Sequence, residues 1–342
     1  MSGESIKPAP DAGDDWGGEL GKASDAKTVV LVSPAMQETN NGNWHTAHRW
    51  TQFLSRHCDI ALLPAWSQPL PGPPADMMIA LHARRSAVSI AAWAHHYPDK
   101  PLVLVLTGTD LYRDIQGDLR AQQSLASATC LVVLQEAGVE QLPPDLRHKA
   151  RVIYQSARPL RPATKSTRQF RALMVGHLRD EKDPLTYLKA AAHCSATQIR
   201  FDHIGEALQP HLDHAARDAE ARLKNYRWLG GLTRALTRQH IKRAHVLVIS
   251  SVMEGGAQVV MEAVQSGTAV LASRISGNLG MLGTDYAGYF PVQDDAALAT
   301  LLQRCATDRE FLELLEKQCR QRARLFNPAR ERRLVLNLLT SR

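Results

Sequence analysis

The chain has 342 residues, 44% of them hydrophobic and 22% charged, with a formal net charge of +7. That content can bury a sizeable core in two domains, and no apolar run approaches the roughly 18 residues of a membrane span. The positive balance favours anionic ligands without choosing among small molecules, nucleic acid and acidic lipid.

Residues 1–27 are rich in Gly, Asp, Ser and Pro and lack the apolar stretch of a secretion signal, so a disordered tail is expected. From residue 28 short apolar runs alternate with helical spacing, the pattern of a parallel sheet covered on both faces. Strands are expected at 28–33, 58–63, 77–81, 102–106, 130–134 and 150–153, helices at 43–56, 86–96 and 118–126, and a Pro-rich loop at 64–74. This first domain spans 28–156. The Pro-, Arg-, Thr- and Ser-rich stretch 157–168 reads as a linker opening a second domain, 157–326. Its strands are expected at 170–175, 198–204, 226–229, 244–249, 269–272 and 288–291, with helices at 184–193, 210–223, 233–243, 257–266 and 295–306. A C-terminal helix over 327–342, set off by Asn327-Pro328, could cross back to the first domain or pack on the second. The dense basic groups at 320–324 and 330–333 read as solvated helix faces rather than a nucleic-acid patch. Five scattered cysteines, Cys58, Cys130, Cys194, Cys305 and Cys319, fit reduced thiols in a cytoplasmic protein and no metal or disulfide framework.

Two segments of the second domain carry chemistry. After the strand at 170–175 comes Gly176-His177-Leu178-Arg179-Asp180-Glu181-Lys182-Asp183-Pro184, in which Pro184 suits the first turn of a helix and places Arg179 and Lys182 at its start. Two cations there could neutralise a diphosphate; a solvated loop with internal ion pairs would read the same way. After the strand at 244–249 comes Ser250-Ser251-Val252-Met253-Glu254-Gly255-Gly256-Ala257, with Glu262 about two turns into the next helix. Glycines at a helix start let amides approach an anion, and the two carboxylates could grip sugar hydroxyls. A strand-turn-helix with two solvated glutamates remains the plain alternative.

In order and spacing these residues resemble the donor half of the GT-B glycosyltransferases of family 4. The resemblance implies an α/β fold of two Rossmann-like domains facing each other across a cleft. It also implies that Arg179 and Lys182 bind the donor diphosphate, that Glu254 with Gly255, Gly256 and Ala257 holds the hexose, and that Glu262 holds the ribose. Neither cofactor nor metal is implied, and the chain has no Asp-x-Asp pair. The first domain departs from the common pattern: Asn40-Asn41-Gly42-Asn43-Trp44 replaces a Gly-Gly loop, and Thr107-Gly108-Thr109-Asp110 stands where relatives often have His-Asp. Ser33-Pro34-Ala35, the run from Ala80 to Ser86, that from Leu106 to Arg113, and Ser273 to Asn278 instead resemble the selenosugar synthases of selenoneine biosynthesis. That narrower resemblance implies transfer from a UDP-sugar, typically UDP-N-acetylglucosamine, to selenophosphate. Gly42 would then serve the donor, and Asn43, His82, Arg84, Thr109, Asp110 and Arg113 the acceptor. No nucleic acid and no stable membrane insertion are expected. A conventional family 4 transferase acting on a lipid-linked or small-molecule acceptor, and a non-catalytic nucleotide-sugar sensor, are the competing readings.

Overall fold

Short runs of Val, Leu, Ile and Ala, too apolar to leave either side in water, become the strands of this protein. The computed structural model describes residues 27–36, 42–69, 71 and 74–340; the expected tail lies outside these apart from Lys27, as do Asn40 and Asn41. Strands β1 (Thr28–Val32), β2 (Asp59–Leu63), β3 (Met77–Leu81), β4 (Leu102–Leu106), β5 (Cys130–Val133) and β6 (Ala150–Val152) form one parallel sheet, ordered β2-β1-β3-β4-β5-β6. Strands β7 (Phe170–Val175), β8 (Ile199–Ile204), β9 (Tyr226–Trp228), β10 (Val246–Ile249), β11 (Ala269–Ser273) and β12 (Tyr289–Phe290) form the other, ordered β12-β11-β10-β7-β8-β9. Every residue of β3, β4, β10 and β11 is buried, as helices on both faces require.

In the first sheet the twofold alternation sorts side chains onto two cores. Val30, Val32, Met78, Ala80 and Leu104 meet Trp66 and Trp93 on one face. Val29, Leu31, Ile79, Leu81 and Val103 meet Trp50 and Leu54 on the other. The second of these cores is completed by Val335 and Leu338, so the helix Pro328–Asn337 lies on the first domain, against the helix Gly42–Leu54.

Asn327 caps that terminal helix by accepting from Ala329 N–H at 2.8 Å, and Pro328 occupies its first turn. Arg330 and Arg333 are exposed as a solvated face requires, but Glu331 between them is wholly buried. The cause is helical spacing, which puts 331, 335 and 338 on the inward stripe. The Glu331 carboxylate accepts from Trp50 Nε1 at 2.8 Å, Arg49 Nε at 2.9 Å and Ser156 Oγ at 2.5 Å. Ala157 N–H donates to the Phe326 carbonyl at 3.2 Å, so the two chain crossings between domains run side by side.

Candidate active site

Ligands of open parallel sheets bind beyond the carboxyl ends of strands, where the strand order reverses. Here the reversals fall at β1/β3 and at β7/β10. The loops leaving β7 and β10 hold 176–182 and 250–257, and those leaving β3 and β4 hold His82 and 107–113.

The loop after β7 is built around the Gly176 carbonyl. His203 is fully buried with Nδ1 3.1 Å from Tyr226 Oη and Nε2 3.2 Å from that carbonyl. Burial pushes its pKa down to about 4, so the ring is neutral. Gly205 closes on the same carbonyl: its φ is +155° and a Cβ there would stand 1.9 Å from Gly176 O, so only glycine fits. Burial likewise lowers the pKa of His177, outweighing Glu206 nearby. Arg179 precedes a 3-10 turn, Asp180–Lys182, and its Nε is buried with no hydrogen-bond partner among the described residues. An orphaned donor of this kind is a costly feature that a bound acceptor would relieve. Asp183, left-handed at φ 45°, caps the helix Pro184–His193, accepting from Thr186 Oγ1 at 2.6 Å.

Lys182 Nζ lies 2.5 Å from Glu254 Oε1, and Ser251 Oγ donates to the same oxygen at 2.6 Å. Gly255 touches the first domain: a Cβ there would be 2.4 Å from Thr107 O and 2.7 Å from Gly108 Cα. Gly256 rests on Leu134, and Ala257 leads into the helix Gln258–Val264. Glu262, in that helix, is 3% exposed and accepts from Arg234 Nε at 3.1 Å, with Arg238 Nε 4.0 Å away.

On the facing rim, His82 adopts φ 72°, a left-handed conformation uncommon outside glycine. Its Nε2 is 3.2 Å from Thr109 Oγ1. Burial is the largest influence on its pKa and lowers it, although the Asp110 carboxylate stands 3.9 Å off. Asp110 is fully buried and accepts from the N–H groups of Thr107 (3.0 Å), Gly108 (2.8 Å) and Ala83 (3.0 Å), so it shapes both loops. Arg84 and Arg113 both pair with Asp114, at 3.1 and 3.2 Å. Arg113 also reaches across to Glu181 at 3.8 Å. Gly42 and Asn43 open the helix Gly42–Leu54, and among the described residues nothing beyond Gly42's own chain neighbours and helix backbone lies within 4 Å of where its Cβ would be. Arg179, Lys182, Glu254 and Gly255 thus gather on one side of a closed cleft and meet the Thr107–Arg113 loop on the other. Glu262 and its arginines form a separate corner, where Arg234 and Arg49 add to the burial that holds His45 down to about 4.

Residues 159–325 match the family model described as glycosyl transferases group 1. The match covers the second domain and just under half of the chain. Similar solved structures extend the likeness of fold over both domains. A sucrose-phosphate synthase from Thermosynechococcus elongatus superposes with a TM-score of 0.74 at 15% identity, covering 92% of this chain and 98% of that one. HepE from Anabaena, solved with UDP and glucose, gives 0.72 at 12% identity over 92% and 100% of the two chains. A UDP-forming trehalose-phosphate synthase from Burkholderia vietnamiensis gives 0.73 at 10% identity over 92% and 99%. The two facing parallel-sheet domains are therefore the GT-B fold. No protein of curated function matches the chain in sequence.

In the second domain, Arg234 and Arg238 are not among the residues expected from the sequence, and their spacing of four on one helix was the available signal. Nor is Tyr112 of the first domain, whose buried hydroxyl accepts from Gln135 Nε2 at 2.5 Å and faces Ser276 of the other domain. A cavity of about 490 Å³ opens at the amino ends of β7 and β8, lined by Phe170, Ile199, His245 and Cys305. It lies at the opposite end of the sheet from the cleft. Among the described residues, no helix is long and apolar enough to cross a membrane.

Proposed function

We propose that the protein moves the sugar of a UDP-sugar, N-acetylglucosamine in the first instance, onto selenophosphate, giving a selenosugar. The observation that carries this reading is the unpartnered, buried Nε of Arg179 beside the Lys182–Glu254 pair, beyond the end of β7. A diphosphate there would satisfy the guanidinium and share Lys182, releasing part of Glu254 for hexose hydroxyls. HepE from Anabaena, whose structure contains UDP and glucose, supports that choice of donor. Glu262 would take the ribose.

In the transfer, selenium donates a lone pair to the anomeric carbon while the bond from that carbon to the diphosphate oxygen breaks, its electron pair leaving with UDP. Arg179 and Lys182 stabilise the charge that grows on the leaving oxygen. The facing rim fits an acceptor that is already ionised. Asp110 is committed to backbone amides, Asp114 to two arginines, and burial lowers the basicity of the His82 ring. None of the three stands ready as a strong general base, and a soft selenium anion needs none. Arg84 and Arg113, each about half exposed, would turn from Asp114 and Glu181 to a phosphate group.

The test is incubation with UDP-N-acetylglucosamine, with and without selenophosphate, followed by mass spectrometry for a selenium isotope pattern on the sugar. Arg179→Ala should abolish that product while the fold persists. A second reading, transfer to another small phosphorylated acceptor, is favoured by the same half-exposed Arg84 and Arg113. A structure of similar fold, the trehalose-phosphate synthase from Burkholderia xenovorans, was solved in complex with glucose-6-phosphate. Glucose 6-phosphate in the same assay, consumed in place of selenophosphate, would replace the first reading with the second.

A further inference from the structure

Arg234 breaks a local rule. It is the first residue of the helix Arg234–Arg243, where a cation opposes the helix dipole. It is also 47% exposed, yet it reaches inward to a carboxylate that is 3% exposed. Both Nε and Nη2 approach Glu262 Oε1 at 3.1 Å, and Arg238 Nε approaches the same oxygen at 4.0 Å. Arg238 is itself anchored to the Arg158 carbonyl in the linker. The closest approach of both arginines therefore falls on one oxygen of the pair, Oε1.

Given the nucleotide-sugar reading above, on which this rests, we infer that Arg234 is a positioning residue for the nucleoside end of the donor: it clamps Glu262 Oε1 so that Oε2 is presented to the ribose diol. A carboxylate so held loses little rotamer freedom when the diol binds, and its negative charge is kept in place by the fork of one guanidinium. Arg234 does not touch the reacting atoms. Its loss acts on donor affinity and leaves the chemical step alone.

The probe is UDP against 2′,3′-dideoxy-UDP, measured by calorimetry on the full chain, with donor KM and kcat alongside. Hydrogen bonds to a charged group are worth enough for wild type to prefer UDP by about 10-fold or more. In Arg234→Ala the affinity for UDP falls by about 10-fold, that for dideoxy-UDP stays within about 2-fold, and the preference collapses. Donor KM rises with kcat little changed. Because the side chain is half exposed at a helix end, the variant folds, and its thermal transition confirms this. A UDP-binding Arg234→Ala that keeps the wild-type preference, or loses affinity equally for both nucleotides, overturns the assignment of Arg234 alone. Wild-type protein indifferent to UDP overturns the donor reading and this assignment together.

Discussion

Lys182 and Glu254 are each other's partner, Nζ to Oε1 at 2.5 Å across two loops that leave different strands of one sheet. Such a half-buried pair serves stability or chemistry, and substitutions separate the two. Lys182→Ala is expected to lower turnover by about 10²–10³-fold, the usual loss for a preorganised charge at a leaving group. Removing either partner alone also destabilises, whereas the neutral pair Lys182→Met with Glu254→Gln recovers most of the stability, as apolar replacements of buried ion pairs often do. If the double variant also regains turnover, the pair is structural. Steady-state kinetics beside thermal melts decide it.

Gly255 is where backbone meets backbone between the domains. A methyl group there would have to push aside Thr107 O at 2.4 Å, which has no flexible side chain to yield. Gly255→Ala should hold the cleft ajar, at a cost to the closed state of about 1–3 kcal/mol. Solution scattering should report a larger radius of gyration, and turnover should fall with donor binding largely retained. An unchanged scattering profile with full activity would show that closure does not pass through this contact.

Glu331 fastens the terminal helix to the first domain. Glu331→Ala leaves Trp50 Nε1, Arg49 and Ser156 without their acceptor, so a loss of about 3 kcal/mol or more is expected. The readout is chemical denaturation. Arg330→Ala, one residue away and exposed, should change stability by no more than about 0.5 kcal/mol.

Acid should weaken the second domain through His203. Burial lowers this ring from its ordinary 6.5 to about 4, so between those values the unfolded chain binds more protons than the folded one. Stability is therefore complete above about pH 6.5 and falls as the pH drops towards 4, by up to about 3 kcal/mol. His45, also lowered to about 4 but only partly buried, adds less. His203→Asn should flatten this acid limb in melts taken across the pH range. A limb of unchanged slope would assign the acid sensitivity to other groups.

The strands were legible because parallel strands with both faces covered must be continuous apolar runs: 77–81 and 102–106 correspond to β3 and β4 residue for residue. Pro184 likewise marked the start of the helix Pro184–His193, which the structure shows capped by Asp183. The helix Ser276–Leu282 was not legible, since Gly277 and Gly280 speak against helix locally. Both glycines are there for tertiary reasons, packing against the Glu254 carbonyl and the Gln135 side chain. The turn at Asp110–Asp114, a π-helix, is equally set by contacts, because the Asp110 carboxylate gathers amides from two loops. At the site, phosphate-binding candidates announce themselves because they lie in two contiguous segments. The Arg234–Glu262 clamp joins residues 28 apart on separate helices, and Glu331 is hidden inside a run of arginines.

The first domain borrows its last wall from far along the chain: Arg49 finds Glu331 at a separation of 282 residues, and Lys27 Nζ reaches the Leu339 carbonyl at 2.5 Å. Synthesis from the amino end leaves that half with an uncovered apolar face until the second half has already emerged. The two Rossmann halves are consequently not interchangeable modules. A chimera that trades second domains must return residues 328–338 to the first half they complete, or that half will be aggregation-prone.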